Sequence, residues 1–163
     1  MSDRVSLTID NGIADVRLTR ADKRNALDSE MFRAIAEAGE RLKTEPGVRC
    51  VVLSGEGKSF CAGLDMGSMQ QLAGAPPADG EEQTNAGDID SGRITHLGQQ
   101  ICWVWQELPM PVISAVHGHA LGGGIQLALG TDIRFVHPET KMSVRETYWG
   151  LVPDMAGTFM LGK

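Results

Sequence analysis

The stretch VISAVHGHALGGGIQLAL, residues 112–129, changes its pattern at a triple glycine. Its first five residues are a mostly apolar run typical of a buried strand, and the residues after the glycines have helical character. Glycine at such a junction lets a ligand approach the backbone without a Cβ in the way. The unpaired amides of a first helical turn carry partial positive charge. The stretch therefore predicts a strand, a glycine turn and a helix, with a candidate site for a negatively charged group.

A second glycine-containing segment, SFCAGLD at residues 59–65, also follows a predicted buried strand, RCVVLS at 49–54. One amide from each segment could hold a single developing oxyanion, and the loss of one such donor typically costs about 3–4 kcal/mol of transition-state stabilisation. The alternative is that these glycines serve only close helix–strand packing. The nucleotide signatures GxGxxG and GxxxxGK[ST] are absent from the chain.

The remaining periodicity predicts an α/β fold built of α+β layers. Alternating apolar and polar residues at 5–9 and 13–18 flank Asp10-Asn11-Gly12, which is the turn chemistry of a tight β-hairpin. A helix is then predicted from an N-cap at Asp28 or Ser29 to a stop at Pro46-Gly47. Helical spacing returns around 94–105, and a short strand is predicted at 133–136. A hairpin, a helix and buried strands in this order are typical of layered folds.

Composition and charge exclude several classes of protein. The 163 residues, 42% of them hydrophobic and 22% charged, suit a single globular domain. The net charge of −6 provides no basic face for nucleic acid, and no apolar run approaches the ~20 residues needed to cross a bilayer. The N-terminus leads directly into a strand pattern, so no signal peptide is expected. Three cysteines without a CxxC spacing indicate reduced thiols in a cytoplasmic protein.

The segment AGAPPADGEEQTNAGDIDSG, residues 73–92, is rich in glycine, alanine, proline and acidic residues. It cannot bury enough apolar surface to order itself alone. Long loops inside compact domains are usually functional lids or inserts. The sequence therefore predicts a mobile loop beside the active site.

Four motifs in order carry a family resemblance. They are Arg24-Asn25-Ala26-Leu27, Phe60-Cys61-Ala62-Gly63-Leu64-Asp65, Ala120-Leu121-Gly122-Gly123-Gly124 and Gly150-Leu151-Val152-Pro153. Together they resemble the enoyl-CoA hydratase/isomerase (crotonase) family. The resemblance implies a crotonase-like spiral of ββα units, with residues 1–163 as the N-terminal acyl-CoA-binding core. The C-terminal helical part, which would cover the site and build a homotrimer or hexamer, is not in this sequence.

The resemblance also implies a binding site assembled from these motifs. Its oxyanion amides would be those of Leu64 and Gly123. Residues that would contact the CoA thioester are Arg24, Ala26, Leu27, Ala62, Gly63, Asp65, Met66 and Gly122. Charge for the CoA phosphates would come from Arg20, Lys23 and Arg24, unless these form an ordinary solvated loop. No cofactor is implied, because coenzyme A is part of the substrate.

The acid–base residues of the family are compared with this chain one position at a time. A hydratase of this family uses two glutamates, and the first falls at Gln126, whose amide cannot take a proton at neutral pH. The second falls at Glu146. Eight residues further, Asp154 stands where a dienoyl-CoA isomerase has an aspartate, although it could instead cap a helix beginning near Ala156. Double-bond isomerisation needs no bound water, so it is slightly preferred over hydration, and a non-catalytic acyl-CoA-binding protein is the third alternative.

Three weaker candidates remain. His117 and His119 form an HxH pair that in principle ligates a metal, but no third ligand is spaced to match, so no metal site is expected. Cys61 has no evident helix N-terminus or basic neighbour to lower its pKa, so a nucleophilic role is not expected. Met66 and Trp105 are expected in the core or along the acyl tunnel.

Overall fold

A computed structural model describes residues 3–67 and 93–162, and the segment 73–92 predicted to be a mobile loop lies outside these ranges. The strands within them are β1 Val5–Asp10, β2 Ile13–Leu18, β3 Cys50–Gly55, β4 Val112–Val116, β5 His119–Leu121, β6 Ile133–Val136 and β7 Lys141–Ser143. The helices are α1 Ser29–Leu42, α2 Leu97–Trp103, α3 Gly123–Leu129 and α4 Gly157–Leu161. Short 3₁₀ turns span Ala21–Lys23, Val104–Glu107 and Glu146–Trp149.

The first elements form as their local chemistry predicts. β1 and β2 pair in antiparallel register, and Asn11 and Gly12 between them both have positive φ (49° and 81°), as a type I′ turn requires. Asp28 caps α1, since its side chain accepts a hydrogen bond from the Met31 amide. The helix ends at Leu42, earlier than the stop predicted at Pro46-Gly47.

The main sheet has the strand order β1-β2-β3-β4-β6, and β2, β3, β4 and β6 run parallel. The carboxyl ends of parallel strands meet at one edge of a sheet. Both glycine segments follow strands of this group, so their positions at this edge bring them together. The α/β fold of layered sheet and helices is confirmed.

The second sheet was not predicted from the sequence. It pairs β5 with β7 in parallel, so that His119 lies opposite Lys141 and Leu121 opposite Ser143. Each strand has three residues, which is too short to show a period of two. This small sheet anchors the segment that leads into the triple glycine, because the Gly122 amide donates to the Ser143 carbonyl oxygen at 2.9 Å.

The two residues expected in the core or along the acyl tunnel differ in their exposure to solvent. Trp105 is 1% exposed and belongs to the core, whereas Met66 is 65% exposed. A core position for Met66 is therefore wrong. The alternative role for Asp154, capping a helix near Ala156, is also wrong, because α4 has Ala156 at its N-cap, with φ +68° and no side-chain cap. None of the described helices is long and apolar enough to cross a membrane.

Candidate active site

Backbone hydrogen bonds join the two segments expected to flank CoA. The Leu27 amide donates to the Gly63 carbonyl oxygen at 2.8 Å, and the Asp65 amide donates to the Leu27 carbonyl oxygen at 3.0 Å. The Ala62 amide donates to the Arg24 carbonyl oxygen at 3.0 Å. Residues 24–27 and 62–65 therefore lie side by side, although about 40 residues of chain separate them.

The third segment attaches to the second in the same way. The Cys61 amide donates to the His119 carbonyl oxygen at 3.0 Å, and the Leu121 amide donates to the Cys61 carbonyl oxygen at 3.1 Å. This parallel bridge holds residue 61 against residue 120. It places Gly63 of the second segment next to the triple glycine of the third.

Two backbone amides at this junction find no acceptor among the described residues. A Cβ added to Gly63 would lie 2.5 Å from the Leu121 carbonyl oxygen and only 3.6 Å from the Gly123 nitrogen. Gly123 begins α3, so its amide has no intrahelical acceptor. Within residues 3–67 and 93–162, the amides of Leu64 and Gly123 donate to no hydrogen-bond acceptor. Two neighbouring segments thus each contribute one free donor.

The three glycines at 122–124 meet different requirements. Gly122 adopts φ +54°, and a Cβ on it would lie 3.3 Å from Glu146 Oε1. A Cβ on Gly123 would come within 2.7 Å of the Leu27 side chain and 3.1 Å of Met155 Sδ. A Cβ on Gly124 would overlap the Cys61 carbonyl oxygen. Close packing therefore explains Gly124, whereas Gly122 leaves room for the carboxylate of Glu146.

Glu146 and Gln126 are in direct contact. Gln126 is on α3 and 1% exposed, and its Nε2 donates to Glu146 Oε1 at 2.7 Å. Gln126 Oε1 accepts from the Gly157 amide at 2.9 Å. The other carboxylate oxygen, Glu146 Oε2, is buried and has no hydrogen-bond partner in the part of the chain that the structure describes. The sequence singled out both positions, but it did not indicate that they are bonded to each other.

Asp154 is exposed and is not joined to Glu146 by any hydrogen bond among the described residues. Its backbone carbonyl accepts a hydrogen bond from Gln99 Nε2 at 3.2 Å. The next residue, Met155, packs beside Gly123. Asp154 is thus at the border of this region with its carboxylate towards solvent.

The basic side chains near the first motif differ in what they contact. Arg20 is bonded to two carboxylates, Asp65 at 2.7 Å and Asp28 at 3.3 Å. Burial acts to raise the pKa of Asp65, but hydrogen bonds from Arg20 and the Gly67 amide outweigh it and lower that pKa below its ordinary value. Arg20 and Asp65 therefore tie the two segments together. Lys23 and Arg24 are exposed, and Arg24 Nη1 lies 3.3 Å from His119 Nδ1.

The two histidines of the HxH pair bond to separate partners. His117 Nε2 lies 3.0 Å from the Gly57 carbonyl oxygen, and His119 Nδ1 lies 3.0 Å from Ser59 Oγ. Among the residues for which coordinates are described, no three His, Cys, Asp or Glu side chains gather as a metal site would require.

Cys61 is fully buried, and burial raises its pKa to about 12. At pH 8 the folded protein should therefore keep Cys61 as an unreactive thiol, whereas an unfolded chain exposes a thiol of pKa about 8.5. Because only the unfolded chain loses this proton between pH 8.5 and 12, the contribution of Cys61 to the free energy of unfolding falls as pH rises through that window.

We expect iodoacetamide at pH 8 to label the half-buried Cys50 before Cys61, and Cys61 to react only after denaturant is added. Peptide mass mapping of the labelled protein measures both rates. Labelling of Cys61 in the folded protein as fast as Cys50 would contradict the burial-based assignment.

The chain matches known proteins over nearly its whole length. A model of the family described as enoyl-CoA hydratase/isomerase matches residues 8–163. An enoyl-CoA hydratase of Mycobacterium tuberculosis is 36% identical over 138 residues, covering 85% of this chain and 48% of that protein. The mitochondrial Δ(3,5)-Δ(2,4)-dienoyl-CoA isomerase of Homo sapiens is 33% identical over 150 residues, covering 88% of this chain and 43% of that protein.

A solved structure agrees in sequence and in fold. The structure of a Thermobifida fusca protein in complex with CoA is 33% identical, with a TM-score of 0.79, and the match covers 98% of this chain and 59% of that one. The chain therefore spans about half the length of the curated relatives it matches.

Proposed function

Because this chain belongs to the enoyl-CoA hydratase/isomerase family, we propose that it binds an acyl-CoA thioester and moves the carbon–carbon double bond of its enoyl group. The observation that carries this proposal is the state of Glu146. One of its oxygens is buried without a partner in the part of the chain that the structure describes, and the position that would supply a second carboxylate holds the amide of Gln126. One carboxylate beside two free amides is sufficient for isomerisation.

The two amides would stabilise the negative charge of the intermediate. In the proposed complex the thioester oxygen accepts hydrogen bonds from the N–H groups of Leu64 and Gly123, which have no other acceptor among the described residues. Donors held in place before charge develops need no reorganisation as the reaction proceeds. Withdrawing the α proton then places charge on this oxygen rather than on carbon.

Glu146 would carry the proton in both steps. Its Oε2 removes a C2 proton of a 3-enoyl thioester, and the C2–H electrons form a C1=C2 double bond as the carbonyl π electrons move onto the thioester oxygen, which gives a dienolate that still holds its C3=C4 bond. On reprotonation the carbonyl re-forms, the C1=C2 electrons shift to C2=C3, and the C3=C4 electrons take the proton at C4. The protonated carboxyl then returns the proton to C4, which leaves a 2-enoyl thioester. Asp154 is proposed as an alternative proton acceptor at the border of the site. The reaction moves protons only, so the proposal includes no cofactor beyond the CoA of the substrate.

CoA would lie along the paired segments 24–27 and 62–65. These segments are held together by backbone hydrogen bonds and by the Arg20–Asp65 ion pair. The exposed cations Lys23 and Arg24 are placed to attract phosphate, and the exposed Met66 and buried Gly122 are proposed to line the substrate's path. A 33% identical protein of the same fold was solved in complex with CoA, which supports CoA as the ligand.

Hydration of a 2-enoyl thioester is the alternative function. It is favoured by the names of relatives such as the M. tuberculosis enoyl-CoA hydratase. Activating water with Glu146 alone would lack the second carboxylate, so we expect hydration to be the slower reaction.

A direct test offers the protein 3-enoyl-CoA and, separately, 2-enoyl-CoA. We expect the absorbance of the conjugated thioester to rise with the first substrate and to fall slowly or not at all with the second. Fast loss of absorbance from 2-enoyl-CoA alone would identify a hydratase. Binding of either thioester without conversion would identify a non-catalytic acyl-CoA-binding protein.

The variant Gln126→Glu tests why hydration is slow. It places a second carboxyl group at hydrogen-bond distance from Glu146, where the two carboxyls would share a proton as in other carboxylate pairs. A correctly placed acid–base group contributes about 10²–10⁴-fold, so we expect hydration of 2-enoyl-CoA to increase at least tenfold. Faster isomerisation with unchanged hydration would contradict this explanation.

We also propose that the protein acts in the cytoplasm as a homotrimer or hexamer. The last third of the described chain exposes large apolar side chains, namely Ile133, Phe135, Val136, Met142, Tyr148, Trp149, Leu151, Val152, Phe159 and Leu161. Apolar surface of this extent is typical of surfaces that another protein segment covers. Sedimentation velocity measures the assembly.

A further inference from the structure

The side-chain amide of Gln126 links two other elements of the site. It is buried on α3, its Nε2 donates to Glu146 in the 3₁₀ turn at 146–149, and its Oε1 accepts from Gly157 at the start of α4. These partners are 20 and 31 residues further along the chain. Each end of the amide therefore has a hydrogen-bond partner within the protein.

The orientation of this amide is determined by the backbone. The Gly157 N–H can only donate, so the atom that faces it must be the amide oxygen. The NH₂ group is thereby turned towards Glu146, whose ionised carboxylate accepts hydrogen bonds and has none to donate. A reversed amide would place two donors together at Gly157 and two acceptors together at Glu146.

The result for Glu146 is that its two oxygens are not equivalent. Oε1 is occupied by Gln126, whereas Oε2 is buried without a partner among the described residues. A buried oxygen without a hydrogen bond costs roughly 1–3 kcal/mol, so its presence in a native structure needs an explanation. Receiving a proton from substrate provides one.

We propose that Gln126 is a positioning residue that aims Glu146, so that one defined oxygen, Oε2, exchanges protons with the substrate. Gly157 in turn holds Gln126. This inference rests on the proposed function, and it assigns a role to a position where the family resemblance implies only the loss of a carboxylate. The amide adds a donor without adding negative charge beside the base.

Gly157 offers a way to disturb this arrangement without changing either side chain. A Cβ on Gly157 would lie 2.5 Å from Gln126 Oε1 and 2.8 Å from its Cδ, so Gly157→Ala must displace the amide. Gly162 ends the same helix, and a Cβ there would meet only ordinary contacts at 3.6 Å. Gly162→Ala is therefore the matched control, while Gln126→Met keeps the length of the side chain and removes its donor.

The first measurement is kinetic, and it includes exchange of the α protons of a saturated acyl-CoA with D₂O. Misplacing a reacting group by about 1 Å can cost about 10²-fold. We expect Gln126→Met and Gly157→Ala to lower kcat and the exchange rate by about 10–100-fold, with KM and the Kd for the thioester changed less than about threefold. Gly162→Ala should match the wild type. Full kcat in Gln126→Met, with the fold intact, would overturn the proposal.

The second measurement does not depend on activity. The ¹⁵N-labelled side-chain amide of Gln126, identified by its loss in Gln126→Met, should shift in both Glu146→Ala and Gly157→Ala and stay unchanged in Gly162→Ala. If the amide signal of Gln126 does not shift in Glu146→Ala, the proposed contact is overturned, whatever activity is measured. If the wild type exchanges α protons with D₂O but does not isomerise 3-enoyl-CoA, only the proposed reaction is overturned. The exchange rates of the variants then test the role of Gln126. A wild type with neither activity would overturn both.

Discussion

Replacing Glu146 with Gln should lower double-bond isomerisation by about 10²–10⁴-fold while the Kd for a CoA thioester changes less than about threefold. The substitution preserves the size of the side chain, and the new amide oxygen can still accept from Gln126 Nε2. It removes the proposed base, whose Oε2 is buried without a hydrogen-bond partner among the described residues. The effect should therefore appear in kcat and in α-proton exchange rather than in binding.

The measurement is steady-state conversion of 3-enoyl-CoA, with thioester binding followed by calorimetry. Glu139→Gln is the matched control, because Glu139 is exposed and lies outside the site. We expect wild-type rates from the control. Full turnover by Glu146→Gln would remove Glu146 as the base and leave Asp154 as the remaining candidate.

Replacing Gly124 with Ala should have a large effect on the free energy of unfolding, although it adds only a single methyl group. The added Cβ would overlap the carbonyl oxygen of Cys61, which accepts the hydrogen bond from the Leu121 amide. Overpacking of this kind costs about 1–3 kcal/mol. For a chain of this length each kcal/mol lowers Tm by about 2–4 °C, so we expect a decrease of about 2–12 °C.

The same substitution should also reduce isomerisation, because it separates the segments that carry the Leu64 and Gly123 amides. Thermal unfolding followed by circular dichroism measures the stability, and activity is assayed well below the new Tm. Gly162→Ala, which meets no close neighbour, is the control. A Gly124→Ala protein with the Tm and kcat of the wild type would show that the two segments can move apart without loss.

The sequence by itself determined the features that depend on neighbouring residues. The turn at Asn11-Gly12, the cap at Asp28 and the strands that precede the two glycine segments all follow from local backbone preferences and short periods. The order of four motifs also identified the family, which the comparisons confirm. Three-residue strands such as β5 and β7 carry too little pattern to be predicted, and they form because a neighbouring strand supplies their hydrogen bonds.

Only the tertiary structure decided which side chains of the motifs act together. Arg20, which the sequence offers as a phosphate ligand, is bonded to Asp28 and Asp65, and no hydrogen bond joins Asp154 to Glu146 in the described chain. Gln126, which the sequence marks as a lost carboxylate, holds Glu146 through one hydrogen bond and is held by Gly157 through another. Such contacts join residues far apart in the chain, and they depend on the packing of whole elements, so no local pattern of residues encodes them.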